Sequence, residues 1–168
     1  GQTIFIEAIA KLDRRDIRCL LVGGDQGRLE YRKELEAMIS KHDLGEVVRL
    51  VESCRDMPAA YMLSDVVISA STDPEAFGRV AIEAQALGRP IIATDHGGAK
   101  ETVIENVTGW LVPPGDSSAL ANAIEKAVSL DEKKRAVLAI KATDNIRDNF
   151  STEAMCKKTL DVYDEVLA

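Results

Sequence analysis

Cysteine, aromatic residues, long apolar runs and net positive charge are all scarce in this sequence. The three cysteines, Cys19, Cys54 and Cys156, stand far apart and form neither a CxxC nor a Cys/His spacing. That excludes a disulfide framework and a zinc site read from spacing, and leaves reduced thiols in or near the core. No apolar run approaches the roughly 20 residues of a membrane-spanning helix, and no basic start followed by an apolar stretch resembles a secretory leader. A cytoplasmic chain, or one facing the cytoplasm, is expected. With 21 Lys+Arg against 28 Asp+Glu the formal charge is −7. Nucleic acid and anionic surfaces are then repelled at long range, so no nucleic-acid partner is expected and any phosphate must be held locally.

What is present is a regular alternation. Residues 17–23, 47–51, 65–70, 90–94 and 109–112 are short runs rich in Val, Ile and Leu, as in strands covered on both faces. Between them, Leu35, Met38, Ile39 and His42 share one helical face, as do Leu120, Ala123, Ile124, Ala127 and Val128. Strand, helix, strand at this pitch implies right-handed βαβ crossovers. Helical patterns at 131–147 and 152–167 follow with no strand between them. The expected fold is therefore α/β: a Rossmann-like, three-layer parallel sheet with helices on both faces and extra C-terminal helices, in one domain spanning residues 1–168. Asp116 or Ser117 is placed to cap the helix after the Pro113-Pro114-Gly115 turn. The chain lacks an initial Met and opens on a helical pattern, so it is expected to start inside a longer protein.

Ligands of an open parallel sheet sit beyond the carboxyl ends of its strands. The loop after the first strand, Gly23-Gly24-Asp25-Gln26-Gly27, suits a phosphate or a plain turn, and matches neither a Walker A loop nor GxGxxG. The loop after residues 65–70 is more informative. It carries Glu75 and runs through Phe77, Gly78 and Arg79 into a helix that is apolar nearly all round except for Glu83. A buried carboxylate needs donors, a proton, or an opening. Helical side chains lean toward the N-terminus, so Glu83 points back toward the turn bearing Glu75. Between the two acids, free N–H groups of Phe77, Gly78 and Arg79 and the helix dipole form an anion site. Spacing alone leaves a second reading open, in which Glu75 is a solvated loop acid and Glu83 pairs with a cation elsewhere.

Other residues carry plainer roles. His96 reads as a turn residue near the cleft, His42 as a helix-end residue, Trp110 as packing, and Lys133, Lys134 and Arg135 as a solvated helix face.

Residues 74–124 resemble the donor-binding core of the family 4 glycosyltransferases (glycosyl transferases group 1). Glu75 and Glu83 have that family's separation, with Phe77-Gly78 after the first acid. Gly88-Arg89-Pro90, Thr94-Asp95-His96-Gly97-Gly98 and Gly109 through Asp116 follow in the family's order. The resemblance implies the C-terminal half of a GT-B arrangement, with an N-terminal acceptor domain and the first strand lying outside this chain. It implies a retaining transfer from a UDP-, GDP- or ADP-sugar, with no cofactor and no metal, in polysaccharide or glycolipid synthesis. By the same resemblance Glu75, Phe77 and Gly78 bind the donor sugar and Glu83 the ribose. Gly24, Gly78 and Arg79 bind phosphate, and Arg55 lies in the loop that reads the base. No residue is implied as nucleophile.

The acceptor saccharide or lipid would be a partner through the missing domain, and the full-length protein would associate peripherally with the cytoplasmic face of the membrane. Two departures stand out. The Arg and Lys that the family places ahead of the first helix, to neutralise the diphosphate, are absent here. Arg79 occupies a position that is more often apolar, and is a candidate replacement cation. Weak binding and no turnover are therefore expected of this chain alone. The alternative function is a non-catalytic nucleotide-sugar-binding or interaction module. A dinucleotide oxidoreductase is disfavoured by the missing GxGxxG, and a sugar-nucleotide epimerase by Phe-Gly and Val-Pro-Pro-Gly-Asp.

Overall fold

The computed structural model describes residues 1–12 and 14–167. It opens with α1 (Gln2–Leu12), β1 (Cys19–Val22), α2 (Leu29–Lys41), β2 (Val48–Val51) and the short α3 (Met57–Leu63). β3 (Val67–Ser69), α4 (Arg79–Ala86), β4 (Ile91–Thr94), the one-turn α5 (Ala99–Thr102) and β5 (Gly109–Val112) follow. Three helices close the chain: α6 (Ser117–Val128), α7 (Glu132–Asn149) and α8 (Thr152–Leu167).

Every strand pair is parallel, as the crossovers require. The strands divide into two sheets rather than the single one expected: β1 with β2, and β3-β4-β5 with β4 in the middle. Among the described residues β1 and β3 have no ladder between them, so each has one free edge. β4 is buried at all four positions and separates two cores. Ile92 packs with Phe5, Ile6, Ile9, Leu120 and Ile124, from α1 and α6. Its neighbours Ile91 and Ala93 point the other way, toward Tyr61, Ala81, Ala84 and Val103. Alternation along one strand thus produces the three layers.

Two short helices, α3 and α5, were not expected from periodicity. α4 is not buried all round either. Only Ala81, Ala84 and Gln85 are buried, leaving one side of the helix open at the carboxyl edge of the sheet. Asp116 caps α6 as anticipated, its Oδ1 accepting from the amides of Ser118 and Ala119 at 2.9 Å. α8 buries none of its residues.

The orientation of α4 is set by a buried polar side chain. Gln85, with no exposed surface, donates through Nε2 to the carbonyls of Ala81 at 3.1 Å and Thr102 at 3.0 Å. From α7, Asn145 Nδ2 donates to the Thr102 carbonyl at 3.1 Å and to Gln85 Oε1 at 3.3 Å. One amide thereby ties α4 to α5 and α7. Gln85→Leu keeps the volume but removes a donor from two buried carbonyls and an acceptor from Asn145. It should cost about 1–3 kcal/mol in urea unfolding, whereas an apolar residue merely filling space would leave the midpoint unchanged.

Candidate functional site

The site forms where the loops after β3 and β4 meet the start of α4. Gly78, the residue before α4, has φ +70° and ψ 60°, a left-handed conformation that turns the chain into the helix and strains any residue with a Cβ. Arg79 is the first helical residue. Among the described residues, the N–H groups of Phe77, Gly78 and Arg79 meet no protein acceptor. They are therefore left free at the start of α4, with the positive end of its dipole behind them. The Phe77 ring is exposed and meets the Phe150 ring edge-on, with centroids 6.4 Å apart.

This turn is held from the side by the β4–α5 loop. The Gly98 amide donates to the Glu75 carbonyl at 2.8 Å. A Cβ on Gly97 would fall 2.3 Å from that carbonyl oxygen, and one on Gly98 would fall 2.5 Å from the carbonyl oxygen of Phe77. Two successive glycines are required because backbone lies directly on backbone. His96 Nε2 sits 2.9 Å from the Ser71 carbonyl, a bond in which the Nε2–H tautomer donates. Ser71 Oγ in turn donates to Glu75 Oε1. Below these groups lies a recess of about 10 Å³, lined by Ser69, Ser71, Glu75, Gly78, Thr94 and His96. It has room for roughly one water.

Glu83 sits one turn along α4, its side chain 36% exposed. Tyr61, on α3, donates its hydroxyl to Glu83 Oε2 at 2.8 Å. Burial and this carboxylate together raise the Tyr61 phenol from 10.0 to about 12. Arg79 donates through Nε and Nη2 to Oε1 at 3.2 and 3.1 Å. The guanidinium is therefore engaged one turn into the helix and does not stand over the amides as a replacement phosphate cation. That side chain is 83% exposed, and exposed i,i+4 pairs are worth only about 0.3–0.5 kcal/mol. An incoming hydroxyl pair can displace it at little cost.

The structure brings Glu75, Phe77, Gly78, Arg79 and Glu83 together at one mouth. Gly24 and Arg55 are carried by the loops after β1 and β2. The Gly24 amide is already taken, donating to Ser53 Oγ at 3.0 Å, and Arg55 is exposed in the turn before α3. Sequence reasoning missed Tyr61 and Ser71; the pairing of Glu83 with a cation, left open there as the second reading, is present, and the cation is Arg79, four residues earlier on the same helix. The i,i+4 spacing was the available signal for Arg79. Among the described residues, no group of three or more His, Cys, Asp or Glu is placed to hold a metal ion, and no helix is long and apolar enough to cross a membrane. Chemically, the mouth offers amide donors for an anion and two carboxylates that accept from hydroxyls on either side of it.

Residues 1–145 match the model of a family described as glycosyl transferases group 1. The D-inositol 3-phosphate glycosyltransferase of Salinispora tropica is 34% identical over 98% of this chain and 36% of its own length. A glycosyltransferase from Rickettsia africae superposes with a TM-score of 0.92 at 36% identity, over 99% of this chain and 44% of that one. Anabaena HepE, solved in complex with UDP-glucose, gives 0.88 at 33% identity, over 98% of this chain and 45% of that one. The chain thus spans less than half the length of the curated relatives it matches.

Two outcomes test the geometry. Gly98→Ala should cost about 1–3 kcal/mol by overpacking and abolish the hydrogen-exchange protection of the residue 98 amide; wild-type stability would contradict the backbone contact. Tyr61 binds its proton more tightly in the folded chain, so its contribution is complete below pH 10.0 and is lost as the pH rises toward about 12. Urea unfolding across that window should show a steeper fall for the wild type than for Tyr61→Phe.

Proposed function

The chain belongs to the glycosyl transferases group 1 family, and we propose that it is the donor-binding domain of a retaining glycosyltransferase with a GT-B arrangement. The donor is a nucleotide-sugar carrying UDP, GDP or ADP. The observation that carries this reading is the mouth of α4, where unpartnered amides at Phe77, Gly78 and Arg79 lie between the carboxylates of Glu75 and Glu83. A diphosphate on the amides with a diol at each end matches that order of groups. HepE's complex with UDP-glucose supports the donor class.

In this reading the amides at Phe77–Arg79 hold the diphosphate and stabilise charge on the departing nucleoside diphosphate. Glu75, already fixed by Ser71, accepts from hydroxyls of the donor sugar. Glu83 accepts from the ribose 2′ and 3′ hydroxyls after Arg79 swings off Oε1, while Tyr61 keeps Oε2 in place. The Gly24 amide exchanges Ser53 for phosphate oxygen, and Arg55 lies beside the base. Neither glutamate is a nucleophile; their work is to position the anomeric carbon for an acceptor brought by an N-terminal domain. No metal enters the scheme. Residues 1–168 then form a single domain of a cytoplasmic protein that associates peripherally with the membrane and builds polysaccharide or glycolipid, and alone they do not turn over.

Calorimetric titration of UDP-, GDP- and ADP-glucose into the chain and its Glu83→Gln variant tests the site. Loss of a charged acceptor should weaken the bound donor by tenfold or more, about 1.4 kcal/mol, while Arg79→Ala should bind no worse than wild type. Equal affinity in Glu83→Gln, or tighter binding there, would overturn the role given to Glu83.

A further inference from the structure

At the end of the sheet opposite the donor mouth, a cleft of about 560 Å³ opens between the start of β5, the end of α6 and the first half of α7. That volume lies in the range of small-molecule sites, roughly 300–1,000 Å³. Its floor is apolar, formed by Val107, Leu130, Val137 and Leu138. Its rim is basic, with Lys126, Lys133, Lys134 and Lys141 against the single acid Asp131. This local excess stands in a chain whose formal charge is −7. Asp131 bonds Lys134 at 3.2 Å, and Lys126 donates to Asn106 Oδ1 at 2.5 Å. Lys133 and Lys141 have no acidic partner within 4.0 Å among the described residues.

A second observation points to a ligand. Trp110 lines the same cleft and is only 5% exposed, yet its indole Nε1 is buried with no hydrogen-bond partner. A buried donor left unsatisfied costs about 1–3 kcal/mol, a loss recovered by an acceptor for which the lining moves aside. The Lys126 ammonium lies 5.9 Å from the centre of the Trp110 ring, which keeps positive charge beside the donor.

We propose that this cleft is a second ligand site, separate from the donor mouth, for a soluble small amphiphile with a phosphate head. The head is held by Lys133 and Lys141, with the Trp110 indole N–H within its reach once the lining above the ring shifts, and the apolar body lies on Val107 and Leu138. The concave shape favours a single molecule over a membrane surface, which a flat or convex basic face would meet better. The site is independent of the donor reading, since it uses none of its residues.

Trp110 is the only tryptophan of the chain, so its emission reports the cleft directly. The intact chain is titrated with octyl phosphate below its micelle threshold, and in parallel with inorganic phosphate, octyl glucoside and phosphatidylcholine vesicles carrying phosphatidate. Expected are a saturable change with octyl phosphate, weakening of at least tenfold in Lys133→Glu/Lys141→Glu, and no shift of the midpoint by UDP-glucose. Octyl glucoside binding as well as octyl phosphate would remove the anion, and inorganic phosphate binding equally well would remove the apolar body; either result overturns the proposal. An unchanged midpoint in the double variant overturns it as well, as does the absence of any saturable response. Vesicle binding without a response to octyl phosphate would overturn it in favour of a membrane surface. Both lysines are exposed, so their replacement leaves folding intact.

Discussion

The candidate donor site depends on one close contact, the backbone of Gly97-Gly98 lying on the backbone of Glu75 to Phe77. A hydrogen bond from the Gly98 amide to the Glu75 carbonyl closes that contact, and neither glycine has room for a Cβ. Its consequence reaches in two directions. It fixes the Glu75 carboxylate from behind, with Ser71 and His96 completing the support. It also aims the open amides of Phe77, Gly78 and Arg79, because it fixes the residues that lead into the left-handed turn at Gly78. On the far side Gln85 pins the same helix to α5 and α7. The mouth is thus clamped at both ends of α4, and a ligand meets donors that need no rearrangement.

Charge on Glu83 is balanced unevenly. Tyr61 comes from the buried core and gives a firm bond to one carboxylate oxygen, whereas Arg79 reaches the other from solvent. The first bond costs a ligand a great deal to break and the second very little. One oxygen is therefore a fixed point and the other is an exchangeable position, which is the division a diol-reading acid needs. The same ion pair explains why Arg79 contributes no direct cation to the amide cluster.

Much of this was legible from residue order, for identifiable reasons. Buried parallel strands announce themselves as unbroken Val/Ile/Leu runs, and β4 is the clearest case, buried at every position. Glu75, Gly78 and Glu83 stood out as two acids and a glycine at a strand-to-helix turn, but spacing left their role open and only the family resemblance assigned one. α3 and α5 were not legible, since seven and four residues are too few for helical periodicity to register. Tyr61 went unseen with α3, because its hydroxyl matters only through a partner 22 residues away. The separation of β1-β2 from β3-β4-β5 is a pairing fact, and hydrophobic pattern specifies faces rather than neighbours.

The distribution of cations along the sheet has a further consequence. Lys133 and Lys141, without acidic partners among the described residues, lie near the start of β5, whereas the α4 mouth lies beyond the ends of β3 and β4. A strand the length of β5, four residues, spans about 13 Å, already more than the roughly 8 Å over which physiological salt screens charge. On the proposed donor reading, those lysines contribute little to bringing a diphosphate to an acidic chain. The mouth must act through contact alone, by amides at hydrogen-bond distance and a dipole confined to the first turn. Affinity there should consequently depend on the geometry set by Gly78 and Gly98 far more than on salt, while the basic cleft at the opposite end should weaken steeply as salt rises.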